Sequence, residues 1–279
     1  MILSTDSTAN LPVELYKQLN IEMIPLQLYL EGEIYEDLSP KLPIEEFYNR
    51  MKNGAVPQTA QINELSAKEY FENLLAKGDD VLHISFSSAL SGNTSTIIRV
   101  AEELNKENKN KVVVVDSLNA SVGEGLLVLL ANEMRNQGKS IDEVAEYVKS
   151  MIPNVKSYFT VDNLKYLVRG GRISKLSGVI GSLLSIKPIL KVNAEGKLVS
   201  DKKVISRKKS INELVEICAS NANTTYPLYI THAVAEDEAN ILADKINEAV
   251  GIRPTICDLT QVIGAHTGPG LLAVFFVQK

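Results

Sequence analysis

Tryptophan is absent from this chain of 279 residues, and cysteine and histidine are scarce, at two and three residues. Cys218 and Cys257 stand apart in apolar runs without CxxC spacing, which excludes a redox pair and predicts buried free thiols in a reducing cytoplasm. His83, His232 and His266 are too scattered to form a ligand set, so neither a metal nor a cofactor is expected. Basic residues are not in excess: 29 Lys and Arg face 34 Asp and Glu, a net charge of −5, which argues against a nucleic-acid partner. No apolar run reaches the length of a bilayer span, and MILSTDST lacks the basic and apolar regions of a leader. A cytoplasmic protein with at most transient contact with a membrane surface is expected. Three common site motifs are missing too. No lysine completes a phosphate loop, Gly123-Glu124-Gly125 runs into Leu126-Leu127 instead of GxGxxG, and Ser91 lacks the GxSxG elbow.

What is present is a regular alternation. Hydrophobic residues make up 45% of the chain, enough for a large core. Strand-like runs at Met1–Ser4, Met23–Leu30, Val81–Phe86 and Val112–Val115 alternate with helical patterns at Pro12–Leu19, Glu45–Lys52 and Leu126–Asn136. Capping boxes beginning at Ser66, Ser140 and Ser210 predict further helix starts. Four consecutive valines at Val112–Val115 predict a strand buried on both faces. Repeated strand, polar turn and helix units predict an α/β fold with a mostly parallel sheet in residues 1–155. A smaller mixed α/β domain is predicted over 156–279, with a hairpin at Asn193-Ala194-Glu195-Gly196 and a glycine-rich turn at Ile263–Gly270.

Ligands of parallel sheets sit at the carboxyl ends of the strands, where polar turns follow at Asp6, Ser87 and Asp116. The richest is VLHISFSSALSGNTST, Val81 to Thr96. A strand runs into small hydroxyl residues around Ser91-Gly92, and a helix starts at once. Free N–H groups and the positive end of the helix dipole suit an anion there. Without a lysine, the turn suits a carboxylate better than a triphosphate.

His266, beside its glycines, is placed to donate to an anion; His83 and His232 read as structural. Ser91, His266 and Asp116 also allow a nucleophile, base and orienter on paper, the reading of a stand-alone hydrolase or acyltransferase. Arg169 and Arg172 flank Gly170-Gly171 and either clamp an anion or pin the two halves together. Lys202, Lys203, Arg207, Lys208 and Lys209 form a dense basic patch, either a solvated hairpin or a docking site for an acidic partner.

Taken in order along the chain, Asp6-Ser7-Thr8, Pro57-Gln58-Thr59-Ala60-Gln61, the stretch Phe86–Gly92, Asp116-Ser117 with Ala120–Gly123, Arg169–Arg172 and Gly264–Gly270 resemble the DegV family, specifically the fatty-acid-binding subunits of bacterial fatty acid kinase. One departure is Ala60, where the family usually has serine, so a hydroxyl donor is missing from that turn. The resemblance implies one long-chain fatty acid held between two domains. Its carboxylate would be met by Thr59, Ser91, the Gly92 and Asn93 backbone, and His266, supported by Ser87, Ser117, Arg169, Arg172 and Gly268. Its tail would lie in an apolar tunnel, with Leu164, Leu167, Ile173, Val179, Ile180, Leu183 and Leu184 as candidates. A separate kinase subunit would phosphorylate the bound carboxylate, docking on Arg207, Lys203 and Lys208. An acyltransferase using the acyl-phosphate in phospholipid synthesis is a further implied partner. The chain itself would then be a non-catalytic carrier.

Overall fold

Four parallel strands carry the first half of the chain, in the order Ile21–Ile24, Ile2–Asp6, Val81–Ser85, Val112–Asp116. The computed structural model describes residues 1–173 and 186–279. Parallel neighbours need long crossovers. Helices Glu64–Leu75 and Asn93–Glu107 flank the central strand Val81–Ser85 in sequence and pack against each other. Every residue of that strand is buried. The valine run is instead an edge strand, with Val113 and Val114 only half-buried, because no further strand among the described residues pairs with it.

The run Met23–Leu30 is not one strand. It divides at Pro25, which has no N–H for a ladder. Ile21–Ile24 stays in the parallel sheet, whereas Gln27–Leu30 forms a small antiparallel sheet with Glu33–Glu36 and Gln58–Ala60. That small sheet places Thr59 opposite Leu28.

From Val155 onward the strands belong to a six-stranded sheet, ordered Leu198–Lys202, Ile189–Val192, Val155–Thr160, Leu272–Val277, Tyr229–His232, Thr255–Asp258. All pairs are antiparallel except the last. The predicted hairpin joins Ile189–Val192 to Leu198–Lys202, with Gly196 at φ +72. Side chains alternate across the sheet. Leu272, Val274 and Phe276 pack under helices Arg207–Asn221 and Glu236–Val250, while Ala273 and Phe275 join the core shared with the first half.

Of the three capping boxes, only that at Ser140 forms, on helix Ile141–Met151. Helix Glu64–Leu75 starts earlier because Asn63 accepts from the Ser66 N–H at 2.9 Å. Helix Arg207–Asn221 starts at Ser206, and Ser210, within it, donates to the Lys187 carbonyl at 2.6 Å.

The halves are stitched by buried hydrogen bonds. Asn10 donates to the Asp258 carbonyl at 2.7 Å and accepts from the Thr260 N–H at 2.9 Å. Gln261 donates to the Leu42 carbonyl at 2.7 Å, and Asp37 accepts from the Val262 N–H at 3.1 Å. These contacts hold helix Gln261–Thr267, which replaces the glycine-rich turn expected there.

Candidate functional site

A cavity of about 340 Å³ lies between the two halves. Its apolar wall is the inner face of the six-stranded sheet, with Phe159, Val192, Leu198, Ala273 and Phe275, met from the first half by Leu26, Phe86 and Leu90. The volume falls in the range of small-ligand clefts and cavities.

One end is polar. The Thr59 hydroxyl and His266 Nε2 are 2.7 Å apart. Ser91, Gly92, Gln61 and Arg172 line the same cavity. The serine turn is held from beneath by two carboxylates at strand ends. Asp6 accepts from the Phe86 N–H at 2.8 Å and the Ser85 hydroxyl at 3.0 Å; Asp116 accepts from the Ser88 N–H at 3.2 Å and the Leu118 N–H at 3.0 Å. The Asn93 N–H donates to Ser91 Oγ at 3.2 Å. That bond occupies a lone pair and leaves the Ser91 O–H free to donate toward a ligand. The Gln61 side chain packs over Gly92, so that a Cβ there would fall 2.1 Å from Gln61 Oε1 and displace that side chain.

Arg172 donates to the Leu90 carbonyl at 3.2 Å and the Gly170 carbonyl at 2.6 Å, so it braces the serine turn. Gly170 packs against the imidazole: a Cβ there would lie 2.4 Å from His266 Nδ1. Nδ1 is buried with no partner among the described residues. Burial pushes the His266 pKa down to about 4, and cationic Arg172 and then Arg169 push the same way. The imidazole is neutral at pH 7. An anion placed here would offset the Arg172 charge and relieve that depression.

These positions do not form a hydrolytic triad. His266 Nε2 is paired with Thr59, no carboxylate meets Nδ1 among the described residues, and Asp116 is committed to backbone amides. The Ser–His–Asp arrangement drawn from the sequence is therefore not assembled.

The DegV family profile matches residues 2–279. The chain belongs to the DegV family. It is 39% identical to the DegV domain-containing protein CPE0026 of Clostridium perfringens, over 99% of this chain and 97% of that one. The crystal structure of DegV, a fatty acid binding protein from Bacillus subtilis, is similar with a TM-score of 0.86 at 30% identity, covering 100% of this chain and 99% of the other. The fatty acid binding DegV family protein SAG1342 from Streptococcus agalactiae is similar with a TM-score of 0.89 at 28% identity, covering 100% and 98%.

In this DegV protein the predicted head-group residues divide into two sets. Thr59, Ser91, Gly92, Arg172 and His266 line one cavity, together with Leu167 from the predicted tunnel. The others stand behind it or away from it. Asn93 does not line the cavity; its side chain accepts from the Ile62 N–H at 3.3 Å, and its N–H is spent on Ser91. Ser87 donates to the Gly196 carbonyl at 2.9 Å, and Ser117 closes its own turn onto Asn119. Arg169 lies over the Tyr166 ring at 5.3 Å, and Gly268 packs against the same ring. Leu164 and Ile173 are buried core outside the cavity wall. Val179, Ile180, Leu183 and Leu184 lie outside the described residues.

The sheet wall went unseen in the sequence because Leu272–Val277 is apolar throughout, so its period-2 pattern marks no face. Thr8, Ser121 and Thr231 also line the cavity, and a lone hydroxyl carries no sequence signal. Of the basic patch, Lys203 and Lys208 are exposed, but Arg207 is not free. Its guanidinium donates to both oxygens of Glu238, from Nε at 3.1 and 3.0 Å and also from Nη2. His83 is buried beside Ser4 and Asp6, and His232 faces Asp258 at 3.6 Å; neither lines the cavity.

Proposed function

We propose that this DegV protein binds one long-chain fatty acid in the cavity and presents its carboxylate to a separate kinase subunit. The carrying observation is the Thr59–His266 pair, with Ser91 and Arg172, at the polar end of an apolar cavity. A carboxylate out of water needs donors. The Ser91 O–H and Gly92 N–H supply them, and with His266 Nε2–H donating to Thr59 Oγ1 the Thr59 O–H supplies a third. His266 is neutral while the site is empty and takes up part of the charge once an anion sits beside it. The tail lies along Leu167, Phe159, Ala273 and Phe275. Each buried CH₂ contributes about 0.8 kcal/mol, so a long chain gains on the order of 10 kcal/mol before association costs.

In the cavity His266 Nε2 meets Thr59 and not Ser91, and no carboxylate meets Nδ1 among the described residues, which favours a carrier over an acyl-transferring enzyme. In this reading the kinase subunit brings ATP and forms the acyl-phosphate on the bound carboxylate. An acyltransferase then consumes it. The exposed Lys203 and Lys208 are the docking residues of choice, because Arg207 is already paired.

The test is mass spectrometry of organic acids released on denaturing protein purified from a bacterial host. A stoichiometric fatty acid is expected, together with a rise in Tm when oleate or palmitate is added to delipidated protein. Protein that releases no fatty acid and shows no thermal shift overturns the reading. Phosphorylation of the bound acid by a bacterial fatty acid kinase subunit and ATP tests the second step. A lipid-loaded protein that no such subunit phosphorylates removes the presenter role.

A further inference from the structure

Two more hydroxyls line the same cavity, on elements other than those that carry the head-group residues. Ser121 and Thr231 line it, are 5% and 0% exposed, and have hydroxyls without a partner among the described residues. Their surroundings are polar but satisfied. Thr8 donates to Glu124 at 3.1 Å, and Ser157 donates to Asn119 Oδ1 at 2.6 Å. Helix Val122–Asn136, which follows Ser121, packs against the strand bearing Thr231. No hydrogen bond among the described residues joins the Ser121 and Thr231 hydroxyls to Thr59, Ser91 or His266.

Two features of Ser121 count against a merely structural serine. It precedes a helix, where a serine oxygen ordinarily accepts from the first-turn N–H groups, yet it makes no such bond. Its backbone is at φ 55 and ψ −145, a region that glycine enters freely and residues with a Cβ enter at a cost. The chain keeps a hydroxyl there against strain, buried and without a partner among the described residues, on the wall of an apolar cavity.

We propose that Ser121 and Thr231 recognise an oxygen substituent on the acyl chain, so that the preferred ligand class is a hydroxylated fatty acid. This rests on the fatty-acid reading above. A ligand hydroxyl that reaches either oxygen pairs with it, whereas a plain methylene chain leaves both unpaired. A site built to pair a hydroxyl discriminates against the analogue lacking it.

The experiment measures binding of stearate and of hydroxystearates with the hydroxyl at mid-chain or at the ω end, using delipidated protein. At least one hydroxystearate is expected to bind about three- to tenfold more tightly than stearate. Thr231→Val and Ser121→Ala should each reduce that preference, read as the ratio of hydroxystearate to stearate affinity in the same variant. Thr231→Val lies in a regular strand and keeps the test open if the strained position tolerates no change. Stearate binding as tightly as every hydroxystearate overturns the proposal while the fatty-acid reading stands. A preference that survives both substitutions also overturns it. Failure of all of these acids to bind overturns the fatty-acid reading and this inference together.

Discussion

The Thr59 hydroxyl and the His266 Nε2 meet at 2.7 Å although 207 positions separate them in the chain. One sits on a three-residue strand of the small antiparallel sheet, the other in the last turn of a seven-residue helix. The pair therefore exists only when the two halves are docked, and it reports whether the head-group end is assembled.

Replacing either partner tests that end directly. Hydrogen bonds to a charged group contribute about 1.5–3 kcal/mol, so Thr59→Val and His266→Ala are each expected to weaken fatty acid binding by about tenfold or more. Isothermal titration with oleate measures it. Two variants with wild-type affinity would place the carboxylate elsewhere.

The imidazole also predicts a pH dependence. Its folded pKa, about 4, lies below its ordinary value of 6.5, so between those values the unfolded chain binds the extra proton. Stability of the ligand-free protein should fall as pH drops from about 6.5 towards 4, and His266→Gln should flatten this part of the profile. A bound carboxylate favours the charged imidazole. Fatty acid binding near pH 5.5 should therefore take up protons in the wild type and fewer in His266→Gln, read from the buffer dependence of the binding heat. Equal uptake in both proteins would mean that the ligand charge is not felt at His266.

Gly170 supplies a test by volume. Its backbone is unstrained for alanine, but the added methyl would press on His266 Nδ1 from 2.4 Å. Gly170→Ala should displace the ring and weaken oleate binding to a degree near that of His266→Ala, with overpacking costing about 1–3 kcal/mol of stability. Unchanged affinity would show that the ring position does not matter for binding.

The basic patch separates into two roles. Arg207→Ala removes a bidentate partner of Glu238 and should lower Tm, at a cost of about 1–3 kcal/mol, with lipid content retained. Lys203→Ala with Lys208→Ala should leave Tm within a degree or two of wild type and slow coupled phosphorylation, most strongly at low salt. A coupled rate insensitive to both lysines and to salt would return these side chains to solvent.

Much of the architecture is legible in the sequence because it follows from local rules. Alternating strand and helix patterns mark the parallel half, the Asn193–Gly196 turn marks a hairpin, and the Ser140 capping box marks a helix start. The serine turn at Ser91 is legible too, since a strand, small hydroxyls and a helix start are adjacent in the chain. Where two local signals competed, folding chose between them. Asn63 and Ser206 offered earlier caps than Ser66 and Ser210, and Pro25 split one apolar run between two sheets.

What the tertiary structure alone decided is which residues share the cavity. Strand Leu272–Val277 is uniformly apolar, so only its docking against two different cores assigns Ala273 and Phe275 to the inner face. Arg207 reads as a free cation until helix Glu236–Val250 brings Glu238 to it. His266 reads as a loop residue until bonds from Asn10, Asp37 and Gln261 fix a short helix, one that its glycine-rich sequence would not hold in isolation. Sequence carries the short-range physics of caps, turns and periodicity; the meeting of Thr59 with His266, and of Ser121 with the apolar wall, depends on how distant surfaces bury one another.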